Sequence, residues 1–137
     1  MDNLSHDQRK YTMSRIRSRE TRPEKAVRSS LHRHGFRFRK NVAGLPGTPD
    51  IVMKKHGTVV LINGCFWHQH AGCPRSVMPK SNRAYWKRKL QGNIERDRTT
   101  TLGLRKLGWR VITLWQCQIE HDCESLVCRR VIATLRR

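Results

Sequence analysis

Acidic residues are scarce in this sequence. Ten aspartates and glutamates stand against 29 lysines and arginines in 137 residues, which gives a formal net charge of +19. A charge of this size opposes compact folding by self-repulsion and predicts a polyanionic partner; a solvated basic surface is the alternative. Only Asp50, Glu95 and Asp97 lie between residues 25 and 119. Metal-dependent chemistry in the middle of the chain must therefore draw on these three carboxylates or on Glu24.

Long apolar runs are also absent. No segment approaches the roughly 20 apolar residues of a membrane span, and the first residues are too polar for the core of a signal peptide. The five cysteines are an odd number and include no paired Cys-x-x-Cys, which argues against a disulfide framework. Clustered cysteines and histidines in a basic intracellular chain favour metal binding. We therefore expect a cytoplasmic protein without a membrane partner.

A single domain, residues 23–137, is expected at this length, preceded by a basic segment, residues 1–22, that is poor in core residues and is expected to lie on the polyanionic partner. A helix is predicted to begin at Thr21, whose side chain fits a capping box with Glu24. Apolar periodicity predicts the remaining elements: strands at residues 36–39, 50–53, 58–63 and 109–115, and helices at residues 83–107 and 124–135. The third strand is apolar throughout from 59 to 62, as in a central strand covered on both faces. The order α-β-β-β-α-β-α predicts an α/β sandwich with a mixed central sheet.

Cysteine and histidine residues cluster in the loop after the third strand. Cys65, His70 and Cys73 fall within nine residues, and Cys117 comes at the end of a later strand. Three thiolates and one imidazole are a favoured tetrahedral ligand set for structural Zn²⁺, and four protein ligands leave no open position for water. We therefore expect zinc to shape this loop.

Other assignments of these residue types stay open. His68 and His121 are rival candidates for the fourth zinc ligand. Ordinary buried cysteines are common in protein cores, and Cys123 and Cys128 on the apolar tail fit that interpretation well. Cys65 and Cys73 fit it poorly, because they lie in a polar loop beside histidine and glycine residues.

Aromatic residues are interleaved with basic ones in the middle of the chain. Phe66 and Trp67 lie beside the predicted zinc ligands, and Trp86 begins a helix rich in lysine and arginine. Cations meet phosphates while rings stack on bases or wedge between them, so this pattern is typical of nucleic-acid binding. Met13 is a further candidate wedge in the N-terminal segment. Core packing is the alternative for Trp86, which is in helical step with Leu90.

Asp50 is the carboxylate best placed to hold a catalytic metal ion, because it stands alone in the sequence where a turn enters a strand. Phosphodiester hydrolysis needs a carboxylate-held Mg²⁺ to offset developing charge, and a group that moves protons. His68 could move protons, because histidine titrates near neutral pH. Each of these residues also has a structural interpretation. Asp50 could cap a turn, and Glu24 could serve only in the capping box. His68 could be a zinc ligand or a solvated loop residue.

Several of these motifs occur together in one known family. They are Pro49-Asp50, Gly64-Cys65-Phe66-Trp67-His68-Gln69-His70, Cys73, Asn93-Ile94-Glu95-Arg96-Asp97, Leu107-Gly108-Trp109-Arg110-Val111 and Cys117. Over roughly residues 8–118 the chain resembles very short patch repair DNA mismatch endonucleases, and the Gly-Cys-Phe-Trp-His run is highly specific. The resemblance implies a restriction-endonuclease-like three-layer sandwich. It also implies a nick in one strand, 5′ to the thymine of a T:G mismatch.

The resemblance assigns roles to individual residues. Mg²⁺ would be held by Asp50 and the backbone carbonyl of Ile62. His68 would help to activate water, and Glu24 would support the centre. Zinc would be bound by four side chains: Cys65, His70, Cys73 and Cys117. Met13 would lie in the minor groove, while three rings would wedge in from the major groove: Phe66, Trp67 and Trp86.

The resemblance also implies partners and a location. The substrate would be double-stranded DNA that contains a mismatch. Wedging rings suit this substrate, because a mispaired step is easier to unstack than a paired one. A mismatch-repair ATPase would be the protein partner, and the protein would act as a monomer on the nucleoid of a prokaryotic cytoplasm.

One position departs from the family pattern. The family often has a histidine before the Gly-Cys pair, where this chain has Asn63. Asparagine can hydrogen-bond to phosphate or water but cannot shuttle a proton at neutral pH, and Asp97, which would support that histidine, needs another partner. Two alternatives therefore remain beside the mismatch endonuclease: a nuclease of relaxed or restriction-type specificity on the same fold, and a non-catalytic zinc-stabilised DNA-binding module.

Overall fold

The computed structural model describes residues 21–136, so residues 1–20 of the basic N-terminal segment, with Met13, lie outside the described residues. The elements follow the order α-β-β-β-α-β-α that the sequence predicts. They are α1 (Arg22–Arg33), β1 (Arg39–Lys40), β2 (Ile51–Met53), β3 (Thr58–Asn63), α2 (Arg83–Lys106), β4 (Arg110–Trp115) and α3 (Gln116–Leu126), which continues through a π-helical turn (Val127–Ile132) into α4 (Ala133–Leu135). No helix within the described range is both long and apolar enough to cross a membrane.

The four strands form one mixed sheet in the order β1-β2-β3-β4. The first three pair antiparallel, whereas β4 lies parallel to β3. A 3₁₀ turn (Lys54–His56) and Gly57, in the left-handed region at φ 58°, close the β2–β3 hairpin. The parallel pairing needs a long crossover, which α2 supplies. The parallel pairing places the carboxyl ends of β3 and β4 at the same edge of the sheet, with Asn63 opposite Trp115.

Apolar residues cover both faces of this sheet. On β3, Val59 and Val60 are fully buried in two different apolar clusters, which confirms the prediction for a central strand. One cluster joins the sheet to α1 through Val27 and to the C-terminal helix through Val131. The other contains Leu104 of α2. The predicted α/β class with a mixed sheet is therefore confirmed.

The start of α1 follows the predicted capping pattern. The Thr21 hydroxyl accepts a hydrogen bond from the backbone N–H of Glu24 at 3.4 Å, and Pro23 occupies the first turn, where its missing N–H is harmless. Glu24 itself is only 8% exposed. The first turn of this helix therefore also delivers a carboxylate to the interior of the protein.

The strand predicted at residues 36–39 is wrong in its extent. Only Arg39–Lys40 pairs with β2. Phe36 and Phe38 are half-buried against the main core cluster, as their alternation with arginine predicts, but they precede the paired residues. Packing on one side of the chain produces the alternation here without a ladder of hydrogen bonds.

The predicted start of the C-terminal helix is also wrong. The helix begins directly after β4, at Gln116, and not near residue 124. Asp122 interrupts it with an extended φ of −162°, and the carboxylate of Asp122 accepts a hydrogen bond from the backbone N–H of Ser125 at 3.1 Å. Asp122 thus caps a second helical segment. Apolar periodicity detected that second segment and missed the first.

Candidate active site and metal centre

A cavity of about 610 Å³ opens at the carboxyl end of β3, and we call it the active cavity. Its lining includes five of the residues that the sequence singles out: Glu24, Asp50, Ile62, Asn63 and His68. They come from α1, from the start of β2, from β3 and from the loop after β3. The fold therefore brings together side chains that are far apart in the sequence.

Asp50 and Glu24 form a pair of carboxylates in the active cavity. The backbone N–H of Ile62 donates to Oδ2 of Asp50 at 2.7 Å. Burial raises the pKa of Asp50 to about 7; the Ile62 N–H opposes this rise, and the neighbouring charge of Glu24 adds to it. Because the charge of Glu24 disfavours the ionised form of Asp50, a cation bound to both carboxylates would offset their repulsion. The pair therefore fits a hard divalent cation, which prefers oxygen ligands.

His68 is oriented by a carboxylate from α2. Its Nδ1 lies 2.6 Å from Oδ2 of Asp97. Because an ionised carboxylate can only accept a hydrogen bond, Nδ1 carries the hydrogen and Nε2 is left able to accept a proton. In this chain Asn63 stands where the resemblance leads one to expect a histidine. The partner of Asp97 is therefore His68.

One face of α2 lines the site with four residues, of which the sequence had given a role only to Asp97. Asn93, Arg96, Asp97 and Thr100 all line the active cavity. Their spacing of three and four residues places them on one side of a helix. Asn93 accepts a hydrogen bond from Arg96 at 2.6 Å and donates one to the backbone carbonyl of Trp67 at 2.9 Å. The polar residues recurring at helical spacing were the signal that could have revealed this face.

The structure brings four predicted zinc ligands together, and we call them the Cys/His cluster: Cys65, His70, Cys73 and Cys117. One donor atom of each lies within 4.8 Å of those of the others. The two rival histidines do not join this group in the described part of the chain, and His68 bonds to Asp97 instead. The adjacent carboxyl ends of β3 and β4 explain the meeting of Cys65 with Cys117.

Hydrogen bonds and thiol acidity in the Cys/His cluster fit a metal ion. The backbone N–H of Cys117 points to the sulfur of Cys65 at 3.4 Å. Burial raises the pKa of Cys65 to about 11, while the backbone N–H of Arg75 lowers the pKa of Cys73. A cation allows neighbouring thiols to ionise together, which burial alone prevents. His70 is held by stacking on Trp115, with ring centroids 4.2 Å apart and planes 6° from parallel.

Phe66, Trp67 and Trp86 form an aromatic cluster beside the active cavity. Their ring centroids lie 5.1 Å (Phe66–Trp67), 5.5 Å (Phe66–Trp86) and 6.0 Å (Trp67–Trp86) apart. Phe66 and Trp67 are half-buried, and Trp67 also lines the cavity, whereas Trp86 is only 6% exposed. The two more exposed rings therefore pack against a buried ring of α2.

Comparison with known proteins identifies the family. A family model described as DNA mismatch endonuclease Vsr matches residues 1–75. The chain is 39% identical over 116 residues to the DNA mismatch endonuclease Vsr of Escherichia coli K12, and the match covers 83% of this chain and 74% of the relative. This chain belongs to the Vsr family of DNA mismatch endonucleases.

Vsr-family relatives also include proteins named as nicking enzymes. The chain is 48% identical over 128 residues to the type II nicking enzyme V.XorIIP of Xanthomonas oryzae, a match that covers 93% of each protein. It is 40% identical over 136 residues to the type II nicking enzyme V.NmeAIP of Neisseria meningitidis, covering 99% of this chain and 94% of the relative. Vsr-family membership makes this chain an endonuclease, that is, a hydrolase that acts on DNA.

The carboxylate of Asp97 should act as a positioning group in this Vsr-family enzyme. Changing Asp97→Asn removes the ionised partner of His68, so we expect the nicking rate to fall by about a hundredfold. Single-turnover nicking, with the enzyme in excess over DNA, measures the effect.

The matched control for Asp97→Asn is Glu95→Gln, which removes an exposed carboxylate two residues away that does not line the cavity. It should leave the rate unchanged. A rate loss of the same size in Asp97→Asn and Glu95→Gln would show that general charge on α2 matters and that the bond to His68 does not.

Proposed function

We propose that this protein nicks one strand of duplex DNA 5′ to the thymine of a T:G mismatch, in very short patch repair, with Mg²⁺ in the active cavity and zinc in the Cys/His cluster. The observation that carries the proposal is the meeting, in one cavity, of a carboxylate pair with a carboxylate-oriented histidine. The aromatic cluster adjoins the same cavity. Mismatch recognition by Phe66 and Trp67 and proton transfer by His68 would therefore use neighbouring residues of the loop after β3.

Asp50, Glu24 and the backbone carbonyl of Ile62 are the groups that would hold Mg²⁺. When bound, Mg²⁺ supplies charge that offsets the negative charge developing on the phosphate. The raised pKa of Asp50 supports this assignment, because a bound cation would offset the repulsion between the two carboxylates. Ile62 also fixes Asp50 through its N–H, so one residue would orient both the carboxylate and the cation.

The other groups of the cavity would move the proton and hold the phosphate. Nε2 of His68 would accept a proton from the attacking water while Nδ1 stays bonded to Asp97. Arg96 offers a guanidinium at the cavity wall, and guanidinium groups bind phosphate oxygens through paired N–H donors. Asn63 would hydrogen-bond to phosphate or water, since its amide cannot shuttle a proton.

The aromatic cluster would detect the mismatch by wedging into the base stack. Phe66 and Trp67 are the half-buried, more accessible rings available for this, and the buried Trp86 would support them. Unstacking a mispaired step requires less free energy than unstacking a paired one, so wedging favours mismatched DNA. Met13 would act in the minor groove as part of the N-terminal segment.

Several wider features belong to the same proposal. The mixed sheet with apolar clusters on both faces supports a restriction-endonuclease-like three-layer sandwich. The protein would act as a monomer on the nucleoid in a bacterial cytoplasm, with a mismatch-repair ATPase as its partner.

A nicking assay tests the proposal directly. Labelled duplexes that differ only in one central pair, T:G or T:A, are incubated with Mg²⁺ or with a chelator. We expect a single nick 5′ to the thymine of the T:G duplex, none in the T:A duplex and none with the chelator. Equal cutting of both duplexes would reject mismatch recognition in favour of restriction-type specificity, which the names of the nicking relatives make the second candidate.

The affinity for Mg²⁺ should depend on pH through Asp50. Folding raises the pKa of Asp50 from 3.8 to about 7, so the stability that this proton gives the metal-free protein is lost as the pH rises through that window. Because Mg²⁺ binds the ionised carboxylate, its apparent affinity should fall about tenfold for each pH unit below 7. Calorimetric Mg²⁺ titrations at about pH 6 and pH 8 measure this, and equal affinities would contradict the assignment of Asp50.

A further inference from the structure

A second group of metal-binding side chains lies outside the active cavity and the Cys/His cluster. His34 directly follows α1, while Glu124 and Cys128 lie one turn apart on the C-terminal helix. One donor atom of each lies within 4.8 Å of the others. We propose that these three residues, the helix-end cluster, bind a second transition-metal ion, best matched by Zn²⁺, which clamps the end of α1 to the C-terminal helix.

Two of the three donor distances in the helix-end cluster match the edges of one coordination tetrahedron, and the third is no more than 4.8 Å. Nε2 of His34 lies 3.3 Å from Oε1 of Glu124 and 3.7 Å from Sγ of Cys128. Zinc bonds of about 2.0–2.3 Å at tetrahedral angles place neighbouring ligand atoms roughly 3.4–3.6 Å apart. A single ion can therefore reach all three donors with only small movements of the side chains.

Neighbouring hydrogen bonds already orient His34 and Glu124 as ligands. Nδ1 of His34 lies 2.9 Å from the carbonyl oxygen of Ser30 and donates its hydrogen there, which leaves the lone pair of Nε2 directed at the other two residues. Arg33 at 2.8 Å and Ser30 at 3.0 Å both donate to Oε2 of Glu124. Oε1 of Glu124 remains for the ion. Outer hydrogen bonds of this kind commonly fix metal-binding histidines and carboxylates.

The chemistry of the donors selects the class of ion. A thiolate and an imidazole favour Zn²⁺ or a similar transition ion over Mg²⁺, which prefers oxygen ligands alone. Three protein ligands leave a fourth position for water. His34 and Glu124 are partly exposed, at 29% and 48% of their side chains, so the ion can exchange with solvent.

The position of the helix-end cluster gives the ion a structural consequence. The second helical segment, which begins after the interruption at Asp122 and carries Glu124 and Cys128, lies against the end of α1. The other end of α1 carries Glu24 into the active cavity. An ion at the helix-end cluster would therefore stabilise the helix that positions Glu24. Its binding can be measured in the absence of DNA.

Metal counting on the full chain tests this proposal. Wild-type protein and variants are dialysed against micromolar Zn²⁺, and bound zinc is measured by atomic emission. Cys128→Ser and His34→Ala should each bind one equivalent less than the wild type. Cys123→Ser on the same helix, and His121→Ala, are matched controls that should bind as much as the wild type. The expected difference of one equivalent is independent of what the Cys/His cluster holds.

Melting temperature gives a second readout that separates metal binding from a simple ion pair. Added Zn²⁺ should raise the melting temperature of the wild type and of Cys123→Ser, but not that of Cys128→Ser, which keeps both His34 and Glu124. Equal zinc content and equal Zn²⁺ response in Cys128→Ser and wild type would overturn the proposal, because His34 and Glu124 would then form only an ion pair.

Discussion

Changing Asp50→Asn should abolish nicking while leaving DNA binding intact. The substitution removes one charge from the carboxylate pair, so the remaining oxygen donors would hold Mg²⁺ poorly, and we expect the single-turnover rate to fall by about a thousandfold or more. The amide oxygen of asparagine can still accept the hydrogen bond from the Ile62 N–H, which lies 2.7 Å from the native carboxylate. The fold should therefore survive.

Three measurements separate this result from unfolding. Melting temperature and mismatch binding in the absence of Mg²⁺ should stay at the wild-type level or increase, because a buried carboxylate with a raised pKa is lost. Asp122→Asn, far from the cavity lining, is a control that should keep full nicking activity. A nicking rate in Asp50→Asn within about tenfold of the wild type would place the metal elsewhere.

Changing Cys117→Ser should remove zinc from the Cys/His cluster and disorganise the loop that carries Phe66, Trp67 and His68. Structural zinc contributes roughly 10–16 kcal/mol of binding free energy in zinc-finger peptides, which is comparable to the whole stability of a domain, roughly 5–15 kcal/mol. Weakening the site by one thiolate should therefore free the loop. We expect less than half an equivalent of zinc at this cluster and no detectable nicking.

Hydrogen exchange localises this effect. Backbone amides at residues 64–76, several of which bond within the loop, should lose protection in Cys117→Ser, while the amides of β2 and β3 keep theirs. Cys123→Ser is the matched control, since Cys123 is half-buried outside the Cys/His cluster. Wild-type protection of the loop in a zinc-free Cys117→Ser variant would show that its own hydrogen bonds hold it, including those from the Ser76 hydroxyl to the carbonyls of Cys65 and His70.

Most elements of the fold were predictable because their signals are local. Thr21, three residues before Glu24, marked the start of α1, and the unbroken apolar run at residues 59–62 marked β3 as a central strand. Capping and periodicity act within one or two turns, so they can be found in a single sequence. The errors also had local causes: Phe36 and Phe38 alternate in burial without pairing, and the segment after Gln116 has no clear apolar stripe.

The types of ligand in the Cys/His cluster were predictable, and the family resemblance already named His70. Spacing alone left His68 and His121 open beside it. In the structure His70 lies with the three cysteines and stacks on Trp115, whereas His68 bonds to Asp97. This arrangement depends on which side chains α2 and β4 bring to the loop, and sequence spacing contains no such information.

The sequence by itself determined the chemistry that this protein carries: an excess of positive charge, thiols and imidazoles for a metal, rings beside them, and one isolated aspartate at the start of a strand. Only the tertiary structure decided which groups act together. The parallel pairing of β3 with β4 through the α2 crossover brings Cys117 to Cys65, and it lays the polar face of α2 along the cavity. The start of α1 sets Glu24 beside Asp50, where burial raises the pKa of Asp50 to about 7. These contacts join residues many positions apart, and chain topology and core packing set them, because local propensity acts over only a few residues.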